Sequence, residues 1–370
     1  MTSLQILRSR KARWAVPAVA AVAVIGAGPL VDAVTASAHG SLPPRTAAQL
    51  LADVSNARVT ALSGTVVETT DLGLPALPSI AGQGGPGGGA ASFSSLVSGS
   101  HTMRVWYDGP DRVRLALLGQ LGESDLVRNG TDLWSWSSHD NTATHWTVPA
   151  GEHGTPMEPG SAIGTATTPQ QAAQAALKAI DPTTQVSTDP TATVAGRPAY
   201  ELSLVPRDSR SLIGSVRIAI DGVTHIPTRV QVFARGSSSP AFQVGFTSFS
   251  TATPEASVFG FQPPPGATVK QGEVPRSSSH AHPRSGATRA APDVVGKGWT
   301  TVLVAQLPAS SEAGQSGLEG MLGKLPAVSG SWGSGHLLRS ALVSAVLTDD
   351  GRVAIGAVPP QMLYAALSHR

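Results

Sequence analysis

The chain contains no cysteine. That excludes disulfides, thiolate nucleophiles, cysteine-ligated metal centres and a lipid-modified N-terminal cysteine. Lysine is scarce as well, at five of the 26 basic residues. Together with the abundance of Ala and Gly, this reads as genome composition more than as a functional signature. Catalytic phrases are missing too. Ser329-Gly330-Ser331-Trp332-Gly333-Ser334-Gly335 lacks the spacing of a Gly-x-Ser-x-Gly elbow. Gly296-Lys297-Gly298 is not a phosphate-cradling Walker loop. With no nucleophile, metal set or acid–base pair in view, the expectation is a protein that is not an enzyme and uses no cofactor.

What is present begins at the N-terminus. Arg8, Arg10, Lys11 and Arg13 precede an apolar run from Trp14 to Val31, and Ala36-Ser37-Ala38 follows. A basic head, an apolar body and a small-x-small tripeptide make up a secretory signal, with cleavage after Ala38. The 18-residue run also reaches the lower limit for a membrane-spanning helix, although Pro17, Gly26, Gly28 and Pro29 interrupt it. A retained N-terminal membrane anchor is therefore the alternative. Either way the basic flank leaves the remainder of the chain outside the cytoplasmic membrane. Of the 26 bases and 24 acids, residues 1–38 hold four and one, leaving 22 against 23. The exported part is nearly neutral, so no nucleic-acid footprint is expected.

The 40 glycines and 29 prolines favour short strands and many turns. Residues 1–40 are the leader or anchor, and 41–270 form a first domain. Residues 271–297 form a polar linker, and 298–370 a small α+β domain too short to be stable without leaning on the first. Thr46 to Arg58 reads as a helix capped by Thr46, and Leu62 to Thr70 as a strand. Residues 72–100, with Ala81-Gly-Gln-Gly-Gly-Pro-Gly-Gly-Gly-Ala90, read as a flexible insertion. His101 to Val148 is a meander of five strands. It turns at Asp108-Gly109-Pro110-Asp111, at Asn129-Gly130-Thr131-Asp132 and at His139-Asp140-Asn141. Alternation puts Leu133, Ser135 and Ser137 on one face of a strand, with Trp134 and Trp136 on the other. Gln170 to Ile180 is an Ala-rich helix. Further strands are expected at 193–195, 199–205, 214–220, 227–234 and 241–247, then at 300–307, 337–347 and 352–358, with a last helix over 360–367.

The phrases Ser63-Gly64-Thr65-Val66, Tyr107-Asp108-Gly109-Pro110-Asp111-Arg112-Val113-Arg114, Val127 to Trp136, and Phe259-Gly260-Phe261-Gln262-Pro263-Pro264-Pro265-Gly266 follow one another in a recognisable order. Over residues 41–270 the chain resembles the LolA-like lipoprotein-carrier superfamily, of the kind that includes the first domain of RseB (MucB). The Ala-, Gly- and Arg-rich composition points to an actinobacterial source. The resemblance implies an α+β fold: a half-open curved antiparallel β-barrel covered by helices, with the small C-terminal α+β domain added. It also implies an apolar cavity that takes a lipid or lipoprotein acyl chain, in a protein expected to be a monomer. The alternative it implies is an envelope-stress regulator whose partner is a membrane-bound anti-sigma factor.

Burying an acyl chain gains about 0.8 kcal/mol per CH₂, so one long chain needs no polar recognition. Candidate lining residues are Val105, Leu115, Leu117, Trp134, Trp136, Val230 and Val232. Each taken singly also fits an ordinary core position. His139 and His145 flank one turn, and His280 and His282 sit in the linker, without further partners at metal-ligand spacing. Asp349-Asp350-Gly351 reads as a hairpin turn rather than a cation site, and Asn129-Gly130-Thr131 as a turn rather than a glycan acceptor. Arg112 and Arg114, beside Trp106 and Tyr107, read as solvated rather than as phosphate ligands.

Overall fold

The computed structural model describes residues 42–73, 99–119, 122–148, 182–272, 292–306 and 325–368. The leader, most of the Gly-rich insertion, the expected helix at 170–180 and most of the linker lie outside these residues. The first helix, α1 (Ala47–Asn56), is slightly shorter than the sequence pattern. Thr46 caps it, and Gln49 completes a reciprocal capping box.

Six strands follow: β1 (Ala61–Thr70), β2 (Gly99–Asp108), β3 (Arg112–Gly119), β4 (Gly122–Asn129), β5 (Asp132–Ser137) and β6 (Thr142–Thr147). After the undescribed stretch come β7 (Thr184–Val194), β8 (Arg197–Pro206), β9 (Ile213–Asp221), β10 (Pro227–Ala234), β11 (Pro240–Ser250) and β12 (Thr268–Gln271). They form one sheet in the order β12-β6-β5-β4-β3-β2-β1-β11-β10-β9-β8-β7. All pairs are antiparallel except β12 with β6. The two end strands do not meet, so the sheet stays open. It curls strongly at one side. Strands β7 and β11 are four places apart, a separation of roughly 19 Å in a flat sheet, yet their Cα atoms come within 8 Å. The architecture is the expected half-open barrel, with the β2–β6 portion extending from the curled half as a wing.

The face that carries α1 is the inner one. In the curled half it carries the main core. Leu202, Leu204, Val216, Ile218, Ile220, Val230, Val244 and Phe246 are 0–7% exposed there, and Leu50 of α1 joins the same cluster. Phe246 lies against Gly64, where an added Cβ would sit 2.8 Å from the ring. Only glycine lets the ring pack this close to β1.

A second sheet runs β13 (Asp293–Val295), β14 (Val302–Gln306), β18 (Arg352–Gly356), β17 (Ser344–Thr348), β16 (Gly333–Arg339), β15 (Ala327–Gly330), and α2 (Pro360–Ser368) packs on it. It shares a core with the first sheet: Trp299, Leu342 and Ala357 are buried in the first sheet's cluster. Among the described residues, hydrogen bonds cross the seam at several points. Leu212 N–H donates to the Ala357 carbonyl at 2.8 Å, Ala341 N–H to that of Leu72 at 2.7 Å, and Trp299 Nε1 to Thr184 Oγ1 at 2.7 Å.

Four features depart from the sequence pattern. Residues 337–347 are two strands, because Ser340 caps a turn by accepting from Val343 N–H at 3.0 Å. Ala341-Leu342-Val343 are apolar because they plug the seam, not because a strand continues. Strand β7 begins nine residues earlier than expected. It tolerates Pro190 as an edge strand, where the missing N–H breaks no ladder. Strand β12 lies in the stretch read as the approach to the linker, and β13 within the linker itself.

Substituting Gly64→Ala drives a methyl into the Phe246 ring and the Ser248 carbonyl. The expected loss is about 1–3 kcal/mol, typical of overpacking, read as a lower urea midpoint with an unchanged slope.

Candidate functional site

On the wing, residue parity and pairing register sort the side chains into rows. The first inner row is Tyr107, Val113, Arg128, Leu133, Trp146. The second is Val105, Leu115, Leu126, Ser135, Thr144, and the third Met103, Leu117, Ser124, Ser137, Thr142. Val113, Leu115, Leu126 and Trp146 are half-buried, as Val186, Val232 and Phe242 are on the same face of the curled half. They form a half-buried apolar strip on the concave side of the curled sheet, the trough, that passes to Ser and Thr toward the third row; Val113 and Leu115 also pack against the core. Trp146 stands at the rim of the trough over Gly272, whose N–H donates to the His145 carbonyl at 2.7 Å.

The outer face of the wing is built differently. Its rows are Trp106, Arg114, Val127, Trp134, His145 and Arg104, Ala116, Asp125, Trp136, Ala143. A strap folds back across them through the 3₁₀ turn Ala256–Phe259. Phe259 is fully buried, and the Phe261 ring centroid lies 5.4 Å from Trp134 and 6.3 Å from Trp136. His145 stacks on Trp134 at 4.3 Å and pairs with Asp132 at 2.7 Å.

Of the seven expected lining residues, Val105, Leu115, Leu117, Val230 and Val232 thus share the inner face. Val230 belongs to the curled half and Leu117 is fully buried; Leu115 opens onto the trough. Trp134 and Trp136 do not join them. The register sets Leu126 opposite Ser135, which sends both indoles to the outer face beneath the strap. Trp146 and Leu126 take the inner places instead. Counting outward from the turn at residues 138–141 pairs Leu133 with Trp146, and that count is the signal that finds it.

Two polar clusters are embedded in the sheet. On the inner face, buried Glu68 accepts from Thr70 and lies 2.9 Å from His101 Nδ1. Burial raises its pKa against the lowering pull of Thr70 and His101. On the outer face, Asp125 is 3% exposed and binds Arg114 Nη2 at 2.6 Å. Arg114 also donates from Nη1 to the Val258 carbonyl of the strap at 3.3 Å, and stands 5.5 Å over Trp106. Burial pushes Asp125 up to about 7, reinforced by a hydrogen bond with Glu123 and opposed by Arg114. Arg114 is therefore an internal partner of Asp125, not the solvated group expected. Arg112 is ion-paired to Asp108 at 2.5 Å. Asp350 accepts from Thr348 and Arg352 in the expected hairpin turn. Among the described residues no three His, Asp or Glu side chains gather as a metal site. None of the described helices is long and apolar enough to cross a membrane. A depression of about 360 Å³ at the seam is lined by Asp208, Arg210, Lys297, Trp299 and Met362, among others.

No family model matches the chain, and no curated protein matches it in sequence. Among solved structures, MucB in complex with MucA(peri) covers 87% of this chain and 97% of its own, at 16% identity and a TM-score of 0.41. The Pseudomonas aeruginosa MucA/MucB complex covers 86% and 96%, at 15% identity and a TM-score of 0.39. A LolA-superfamily protein from Nitrosomonas europaea covers 59% and 99%, at 9% identity and a TM-score of 0.22. In fold the chain is similar to these proteins.

The two raised carboxylates set a pH dependence. Asp125 holds its proton up to about 7 when folded but only to 3.8 as a free side chain. Its contribution to stability is therefore full below the lower value and lost as pH rises through the upper one. Glu68 shifts in the same direction. The urea midpoint is expected to fall between about pH 4 and 7, and more shallowly in Asp125→Asn. An equal slope in variant and parent would remove Asp125 from the account.

Proposed function

We propose that this chain is an extracytoplasmic, non-catalytic binding protein that holds an acyl chain of a lipid or lipoprotein in the inner trough of the wing. The observation that carries this is a half-buried apolar strip on the inner face of the wing, beside a densely packed core in the curled half. The inner face of the curled half keeps a run of apolar side chains at 0–7% exposure against α1, with Val186, Val232 and Phe242 half-buried at its margin. The same face of the wing leaves Val113, Leu115, Leu126 and Trp146 half-buried. An apolar surface left open on the inner side of a curved sheet gains from a hydrocarbon cover at about 25 cal/mol per Å². The basic and apolar leader supports the extracytoplasmic address. A second reading makes the chain a regulator that contacts a membrane-bound anti-sigma factor through the second sheet. The end strand of that sheet, β15, supports it: Ala327, Ser329 and Gly330 are exposed, as a strand-adding peptide requires.

Native mass spectrometry of the purified protein is expected to show a co-purifying acyl mass. Leu115→Trp, which fills the trough from its floor, is expected to lower the affinity for a fluorescent fatty-acyl probe at least about tenfold, the effect of losing roughly two buried methylenes. An empty protein that ignores the probe would overturn the carrier reading. Capture of a membrane-protein partner by the same empty protein would favour the regulator.

A further inference from the structure

Resting on the reading that the trough holds an acyl chain, we propose that its occupant is a single-chain amphiphile ending in a carboxylate, and that Arg128 receives that carboxylate. Arg128 is the one cation in the three inner rows of the wing. It stands directly between Val113 and Leu133, with its side chain 15% exposed. A guanidinium held in an apolar row needs a counter-ion to offset its desolvation.

Its present counter-ion is a loose one. Nη2 binds Asp111 Oδ1 at 2.9 Å, and Nε donates to the Gly130 carbonyl at 3.3 Å. Asp111 is 51% exposed and sits on the turn between β2 and β3. With one partner this exposed, solvent screens the pair and weakens it. Among the described residues no second carboxylate lies within 4.0 Å of Arg128, and Nη1 has no hydrogen-bond acceptor. The cation is fixed by its strand, while the anion is supplied from the rim and can be exchanged for another. A ligand carboxylate arriving with its chain over Leu126 and Leu115 replaces Asp111 in kind, with Leu126 about 7 Å further along the same strand. The charges nearby argue for one negative charge and no more. Asp108 is paired to Arg112 and Asp132 to His145, at outer-face positions, which leaves Asp111 as the carboxylate facing Arg128. A single Arg meets the ligand, so a phosphate monoester, at nearly two negative charges, leaves one of them without a partner.

The test measures binding of three probes of equal chain length to the full chain by calorimetry: oleate, oleyl alcohol and oleyl phosphate. Oleate is expected to bind on the order of tenfold tighter than the alcohol, the worth of a charge-assisted pair. Arg128→Gln should erase that difference. Asp111→Asn lies on an exposed turn, outside the trough wall. It should tighten oleate severalfold, because the competing carboxylate is gone; a merely structural pairing of Arg128 with Asp111 would give the opposite or no change. Equal affinity for oleate and the alcohol, a preference for the phosphate, or an Asp111→Asn variant that does not gain affinity would each overturn the assignment while leaving the trough itself standing. Failure of all three probes to bind would overturn the trough reading and this assignment together.

Discussion

The wing depends on register. Side chains alternate strictly across a strand, so a slip of one residue in β3 or β4 would exchange Leu115 and Leu126 for Arg114, Ala116, Asp125 or Val127. The tight turn at Asn129-Gly130, where Gly130 takes a φ of +63°, holds β4 against β5. The outer face gives the same instruction from the other side. Asp125 finds Arg114, and Phe259 finds its buried place, only when the parity is correct. An open apolar surface and a buried ion pair are thus two sides of one layer of backbone, and neither can be changed alone.

The two sheets form one mechanical unit through a small plug. Leu342, Trp299 and Ala357 sit in the first sheet's core although the chain places them in the second module. Some seventy residues make a marginal core unaided, and here the shortfall is met by burial against a neighbour. A change at the 340–343 turn therefore reaches the end of β1 directly, since Ala341 bonds the Leu72 carbonyl. Glu68 and Thr70 lie just before that junction on the inner face.

Much of the fold was legible, and the reasons are local. Asn-Gly and Asp-Gly turns announce hairpins wherever they occur, and the 129–132 and 348–351 turns are found where expected. The division of β5 into an indole face and a Leu/Ser face also followed from period two. Which face turned inward did not. Two tryptophans at alternate positions read as the interior of a sheet, but a strap arriving from more than a hundred residues downstream covers them on the outside. No signal near Trp134 or Trp136 records that. Trp146 was overlooked for a related reason: its place depends on its partner strand, not on its neighbours in sequence. The 337–347 run misled because residues that plug a seam and residues that continue a strand are equally apolar.

Strand β12 has an effect beyond linking the two sheets. Its residues Thr268 to Gln271 pair in parallel along β6, the strand that would otherwise end the wing. An uncovered edge next to an apolar trough invites strand-by-strand addition of further copies, the first step toward fibrils. Here the chain occupies that edge itself with four exposed residues, one of them Lys270. The chain covers that edge of the wing itself.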